Sequence, residues 1–255
     1  MRRRRSRHFN PANAGCIVAL DARFGITMTG GGYLASWVGR TGTNFDGTTF
    51  GPGTPSTAPT LGTINGQAAL LFDGSDYVFI YTRPRNLPYP VIPPEGSVFI
   101  CGRHAGTDAI GSYQRLLSSD PDLYGFFGST YTALNSYTGS KLASFTGNGS
   151  AWEDVDENTP IFDANTPFAA TFRREYDSSA GGPRMTPTVN TVAQNQKVDS
   201  ANGIAAGFVG AGPSGSSPQF WNGNVAMIAF GPKVSLGMER RILQMMGRVW
   251  RIHTL

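Results

Sequence analysis

The stretch FWNGNVAMIAFGPKVSLGMERRILQMMGRVW, residues 220–250, decides the fold. Its Asn222-Gly223 pair suits the positive φ of a tight turn, and NVAMIAF (224–230) reads as an alternating apolar β-strand. Ser235 is placed to cap a helix. Beyond it Leu236, Ile242, Leu243, Met246, Val249 and Trp250 fall largely at helical spacing, while Arg240, Arg241, Arg248 and Arg251 lie mostly elsewhere on the wheel. The spacing predicts a closing helix over 235–252 whose apolar side packs on β-structure; a helix offered to a partner is the alternative.

Upstream, short β-like runs follow one another between Gly, Pro, Asn, Asp and Ser: CIVAL (16–20), AALLF (68–72), YVFIY (77–81), SVFIC (97–101), QRLLS (114–118), LYGFF (123–127), KLASF (141–145), FAATF (168–172), TPTVNTV (186–192) and GIAAGFV (203–209). Many short strands at such spacing indicate a sandwich or barrel. Asp73-Gly74, between two of these runs, reads like Asn222-Gly223 as a tight β connection. The Pro-rich stretches 49–62 and 82–96 are expected to be long surface or edge connections, because proline has no N–H for a ladder. Residues 1–14, without periodicity, read as an extended arm, and 15–255 are expected to form the domain.

At 255 residues, with 40% hydrophobic and 15% charged residues, 33 Gly and 17 Pro, the chain is too apolar for disorder and too turn-rich for a helical bundle. No run approaches the ~20 apolar residues that span a bilayer, so no membrane insertion is expected. The net charge of +4 is carried by the arm: Arg2, Arg3, Arg4, Arg5 and Arg7 are five of 21 basic residues, and the remainder is balanced, 16 basic against 17 acidic. Cys16 and Cys101 lie in apolar runs and are expected to be buried free thiols. No apolar stretch precedes Cys16 as an export signal would require.

The 220–250 pattern resembles the closing segment of concanavalin A-like, laminin G-like jelly rolls. In that family the last core strand follows an F-x-G turn, and the chain ends in a Leu-Ser, Glu-Arg helix. Phe220, Gly223, Ile228, Phe230, Leu236, Glu239 and Arg240 stand at comparable places, with the Leu-Ser order reversed in Ser235-Leu236. IVALDA (17–22), SWVGRTG (36–42) and NGQAALLFDGSDYVFI (65–80) resemble its opening half. The resemblance implies an all-β, two-sheet antiparallel jelly-roll sandwich with a short C-terminal α-helix. It also implies a range of roles, from glycan or protein binding to β-glucan hydrolysis and accessory domains of bacterial and phage surface proteins.

Hydrolases of that superfamily carry carboxylates at alternating positions of one strand, Glu-x-Asp-x-x-Glu or Glu-x-Asp-x-Glu. Here the acidic cluster is 153–157, and Val155 stands between Glu153 and Glu157 where the middle acid belongs, so a solvated loop is the better reading. Asp154, Asp156 and Asn158 imitate half a calcium loop, but Thr159 and Asn165 replace its Gly and Glu. A looser calcium site on the sandwich rim is the one metal reading left open; otherwise no cofactor is expected. His8, His104 and His253 are scattered, which argues against zinc. Ser214 lacks the final Gly of a nucleophile elbow, Ser216 occupying its place. His104, beside Arg103, reads as a satisfied or exposed loop histidine rather than a ligand-orienting group. Trp37, Trp152 and Trp221 read as core residues ahead of sugar-stacking platforms.

The candidate partner-binding residues are therefore Arg2, Arg3, Arg4, Arg5 and Arg7. They suit an acidic protein groove, several phosphates of a nucleic acid, or an inert solubilising tail. A sandwich of this kind without an export signal needs a route to the outside, and assembly into a virus particle in a host cytoplasm supplies one. The leading expectation is a non-enzymatic structural virion protein of a bacteriophage, placed on the capsid, at the head–tail junction or on the tail or its fibres. Its arm would dock on other virion proteins or a second copy, and its sandwich would adhere to host glycans. A secreted or surface carbohydrate-binding or carbohydrate-active protein is the alternative, and a nucleic-acid partner the second alternative.

Overall fold

A computed structural model describes residues 14–16, 18–39, 49–52, 54–82, 91–92, 95–105, 114–118, 131–137, 141–147, 152–154, 165–179, 181–190, 192–193, 197–198, 204–205, 208–210 and 220–252. The described residues form two nine-stranded antiparallel sheets, a two-stranded one pairing Val91–Ile92 with Ile204–Ala205, a short 3-10 helix at Pro55–Thr57 and a C-terminal α-helix. The first sheet runs Val192–Ala193, Gly182–Val189, Pro167–Asp177, Gly96–His104, Asn222–Pro232, Gln67–Asp73, Thr60–Ile64; Val18–Asp21 pairs with Asn222–Pro232 and Lys197–Val198 with Gly182–Val189. The second runs Trp152–Asp154, Lys141–Gly147, Tyr131–Tyr137, Gln114–Ser118, Phe208–Val209, Val78–Thr82, Thr49–Pro52, Leu34–Val38, Ile26–Met28. The chain crosses between them repeatedly, for example from Gln67–Asp73 to Val78–Thr82, as expected of a jelly-roll sandwich.

The central strands of the first sheet, Gly96–His104 and Asn222–Pro232, are buried on both faces. Val98, Ile100, Phe168, Phe172, Ile228 and Phe230 point into the core against Leu34, Trp37, Val78, Leu116 and Val209 of the second sheet. From the opposite face Phe99, Cys101, Ala169, Met227 and Ala229 meet Ile242, Leu243, Met246 and Trp250 of the helix. Each such large side chain taken out of water contributes about 1.5–3 kcal/mol before entropy is charged against it. NVAMIAF is accordingly not half-exposed, as simple alternation would have it: every residue from Gly223 to Gly231 is buried, and alternation only distributes side chains between two cores. A β-bulge between Val225 and Met227 inserts one residue, so Val225 and Ile228 share the inter-sheet core although three positions apart.

Turn chemistry behaves differently from its sequence reading at two places. Asp73-Gly74 joins strands of different sheets, and Asn222-Gly223 opens a strand. Gly223 is needed there for space: a Cβ would lie 2.2 Å from the Arg103 carbonyl oxygen. A two-residue hairpin of the expected chemistry is Asn65-Gly66, with both φ positive (50° and 79°), between Thr60–Ile64 and Gln67–Asp73. Thr49–Pro52, expected as an edge or surface connection, is paired on both sides; its proline occupies the last position of the strand. LYGFF lies outside the described residues.

The helix spans Leu236–Trp250, and the Ser235 hydroxyl accepts the Met238 N–H at 3.2 Å. It ends at Arg251, whose backbone is left-handed (φ 52°) and whose N–H bonds the Gly247 carbonyl. Leu236, expected on the apolar side, is exposed; the buried side is Glu239, Ile242, Leu243, Met246, Gly247 and Trp250. Glu239 is tolerated there because Arg173 on the sheet reaches it at 3.4 Å while also donating to the Val234 carbonyl (2.6 Å) and to Glu175 (3.0 Å). Among the described residues no helix is long and apolar enough to cross a membrane.

Candidate functional site

Several candidates from the sequence fall away or lie beyond view. Arg2, Arg3, Arg4, Arg5 and Arg7 lie outside the described residues, as do Asp156, Glu157, Asn158 and Ser214. Glu153 and Asp154 sit on the short strand Trp152–Asp154, paired in register with Thr146 and Phe145. Trp37 and Trp221 are fully buried in the inter-sheet core and present no face to a sugar. His104 is buried too, edge-on to Trp221 with ring centroids 5.1 Å apart. Cys16 and Cys101 are free and buried; burial pushes the Cys16 thiol up to about 12 and raises that of Cys101, so neither is poised as a nucleophile. No group of three His, Cys, Asp or Glu able to hold a metal ion occurs among the described residues.

What the fold builds instead is a cleft of about 390 Å³ at the end of the helix, lined by Asn65, Thr166, Pro167, Asn190, Arg251 and Ile252. Four separate parts of the chain supply these residues, and each is held by hydrogen bonds. The Asn65 amide donates to the carbonyls of Trp250 (2.9 Å) and Arg251 (3.1 Å), tying the hairpin tip to the helix C-terminus and satisfying two carbonyls that the helix leaves open. Asn190 clasps the strand Pro167–Asp177 twice, its side-chain oxygen accepting from the Ala169 N–H and its own N–H donating to the Ala169 carbonyl. The Asn165 N–H donates to the His104 carbonyl and fixes the approach to Thr166.

Beside the cleft, Arg103 pairs in register with Pro167 on one side and Asn224 on the other. Its guanidinium donates to the Asn224 side-chain oxygen (2.6 and 3.1 Å) and to the Thr63 carbonyl (3.4 Å). Gly62 leaves room for that amide, since a Cβ there would lie 2.6 Å from Asn224 Nδ2. The polar groups around the cleft are thus mostly spoken for. The Arg251 guanidinium, the Thr166 hydroxyl and the Asn65 side-chain oxygen keep their hydrogen-bonding capacity among the described residues.

The backbone here carries an unusual load. All four non-glycine residues with left-handed φ among the described residues, Asn65, Asn165, Asn190 and Arg251, line the cleft or adjoin it. Asparagine tolerates that conformation; arginine gains nothing from it, and a helix that ends this way usually places glycine there. No acidic side chain lines the cleft among the described residues.

Compared by sequence, the chain matches no family model and no curated protein. Compared by structure, it resembles an arabinofuranosidase solved with arabinofuranosyl-alpha-1,2-xylobiose, with a TM-score of 0.61 and 9% identity over 93% of this chain and 64% of that one. It also resembles the receptor-binding domain of botulinum neurotoxin type G, with a TM-score of 0.55 and 11% identity over 90% of this chain and 51% of that one. What is shared is the fold. The chain spans just under two thirds of the first structure and about half of the second.

None of the cleft residues was singled out by sequence reasoning except Arg251, which was placed among the helix arginines. The signal that existed was Asn65-Gly66, a hairpin dipeptide whose partner across the cleft is 185 residues away at Trp250. Nothing local in a sequence joins two such points.

Proposed function

We propose that the chain is a glycan-binding β-sandwich domain that seats a sugar in the cleft between Asn65, Thr166, Asn190 and Arg251. The observation that carries this reading is Arg251: a long, exposed cationic residue kept at a left-handed position in the wall of a cleft whose other open groups are a hydroxyl and an amide oxygen. Its volume of about 390 Å³ falls within the ~300–1,000 Å³ typical of small-ligand sites. Pro167 and Ile252 add apolar surface for the carbon face of a ring. Hydroxyl, amide and guanidinium groups together match sugar hydroxyls, which both donate and accept. The likeness to an arabinofuranosidase supports the reading at the level of fold alone.

Binding is favoured over hydrolysis because cleavage of a glycosidic bond generally uses two carboxyl groups ~5–10 Å apart, and the described lining of this cleft carries none. A hydrolase working through the 153–157 cluster would turn over β-glucans and lose that turnover in Glu153→Gln or Glu157→Gln.

A glycan array probed with the whole chain tests the reading. The parent protein is expected to be retained on a subset of glycans, and both Thr166→Ala and Arg251→Gly are expected to weaken that retention. Because glycine adopts φ near +50° without strain, Arg251→Gly is expected to hold or raise stability by up to ~1 kcal/mol while binding falls. Retention untouched by both substitutions, or no retention on any glycan, would contradict it.

The five-arginine arm favours a second reading, a virion component docked through Arg2, Arg3, Arg4, Arg5 and Arg7 whose sandwich faces a host surface. Stoichiometric co-sedimentation with a particle would support that reading, and recovery as free protein alone would remove it.

A further inference from the structure

The outward face of the helix is cationic along its length. Arg240, Arg241 and Arg248 are exposed, with exposed Gln244 among them. At roughly 100° per residue all four lie within about 100° of arc, on one stripe. Arg251 continues the stripe at the helix end and is also part of the cleft wall. None of these four guanidiniums has an ion-pair partner among the described residues. The one acid of the helix, Glu239, is turned inward and bonded to Arg173.

A merely solvated helix face usually mixes signs and gains from acids placed four residues from its bases. The positions four away from these arginines hold Leu236, Gly237, Gln244, Met245, Gly247, Ile252 and Leu255, and no acid. The stripe thus forgoes that stabilisation and keeps like charges together. A guanidinium fork recognises a carboxylate through two parallel hydrogen bonds, better than an ammonium does. Arg240 and Arg248 are about 12 Å apart along the axis at ~1.5 Å per residue, so one small molecule cannot meet them all.

We propose that the helix stripe and the cleft form one track for an acidic polysaccharide, a chain of uronate sugars whose carboxylates lie along Arg240, Arg241 and Arg248 and whose terminal or bent portion enters the cleft at Arg251. This rests on the glycan-binding reading and names its substrate class. A single-stranded nucleic acid fits less well, because neither the exposed stripe nor the cleft lining holds an aromatic ring for bases to stack on. The hydroxyl and amide oxygen of the cleft suit sugar hydroxyls.

The test uses the full chain with Arg2, Arg3, Arg4, Arg5 and Arg7 changed to Gln, so that the arm does not itself hold polyanions. It is titrated with polygalacturonate, with fully methyl-esterified polygalacturonate and with a short DNA duplex. Polygalacturonate is expected to bind, the ester and the duplex to bind at least roughly tenfold more weakly, and Arg248→Gln combined with Arg251→Gln to lower polygalacturonate affinity by roughly tenfold. A melting temperature matching the parent's shows that the variant is folded. Equal affinity for acid and ester, unaffected by the arginine changes, overturns the uronate track while leaving glycan binding intact. A duplex bound as tightly and lost in the same variant makes the stripe a general polyanion surface and overturns it as well. Failure of both polymers to bind overturns it too, and the glycan array then decides separately whether any sugar is bound.

Discussion

Asp76 is buried at 5% exposure, and desolvation pushes its carboxyl from the ordinary 3.8 up to about 6 against the pull of the Asp73 N–H that it accepts; the Asp73 charge adds to the rise. Between those two values the folded chain keeps a proton that the unfolded chain has released, so the contribution of this group to stability is full below about pH 4 and falls as pH rises to about 6. Asp76→Asn keeps an acceptor for the Asp73 N–H and removes the titration. Denaturant melts at a series of pH values are expected to show the parent losing stability relative to Asp76→Asn across that window; a constant difference would contradict the assignment. At this scale the sequence was partly legible. Asn65-Gly66 advertises a left-handed hairpin, and the apolar neighbours of Cys16 and Cys101 advertise burial. Arg251 was not legible as a turn residue, since local rules favour glycine at a left-handed helix end.

The helix is the element on which the site depends, since its C-terminus forms one wall and its outer face the stripe. Its buried side combines apolar packing with one ion pair, Arg173 to Glu239, in which burial raises the Glu239 carboxyl while the guanidinium lowers it. Removing the arginine alone leaves a buried acid without its cationic partner and the Val234 carbonyl without the Arg173 donor. Arg173→Met is therefore expected to cost about 3 kcal/mol by urea unfolding, whereas Arg173→Met with Glu239→Leu is expected to recover most of it, because a matched apolar pair avoids the desolvation of both charges. A double variant as unstable as the single one would show that the pair acts otherwise. The helix, its Ser235 cap and its arginine face were readable from spacing. Strand pairing was less so: Asp73-Gly74 has the chemistry of a hairpin but joins two sheets, because the partners of Gln67–Asp73 come from Thr60–Ile64 and from Asn222–Pro232 far along the chain. Thr49–Pro52 was hidden by the prolines of 49–62, which local rules exclude from central ladders although a strand end accommodates Pro52.

Over the whole molecule, many short apolar runs between turn residues were enough to indicate an antiparallel sandwich, since such a pattern has few other ways to bury itself. The order of strands and the cleft were not readable. The cleft gathers Asn65, Thr166, Asn190 and Arg251 from hairpin, strand entry, turn and helix end, and only the folded sheet with both faces covered brings them together. The cleft and the charge beside it are properties of that assembly. The most direct test is amide hydrogen exchange on the whole chain, with and without the best ligand from the glycan array. Slowed exchange is expected at residues 65–66, 165–166, 190 and 251–252 and along the helix end, with little change elsewhere. Protection confined to the second sheet or to the arm, with these positions unchanged, would contradict a binding site at the end of the helix.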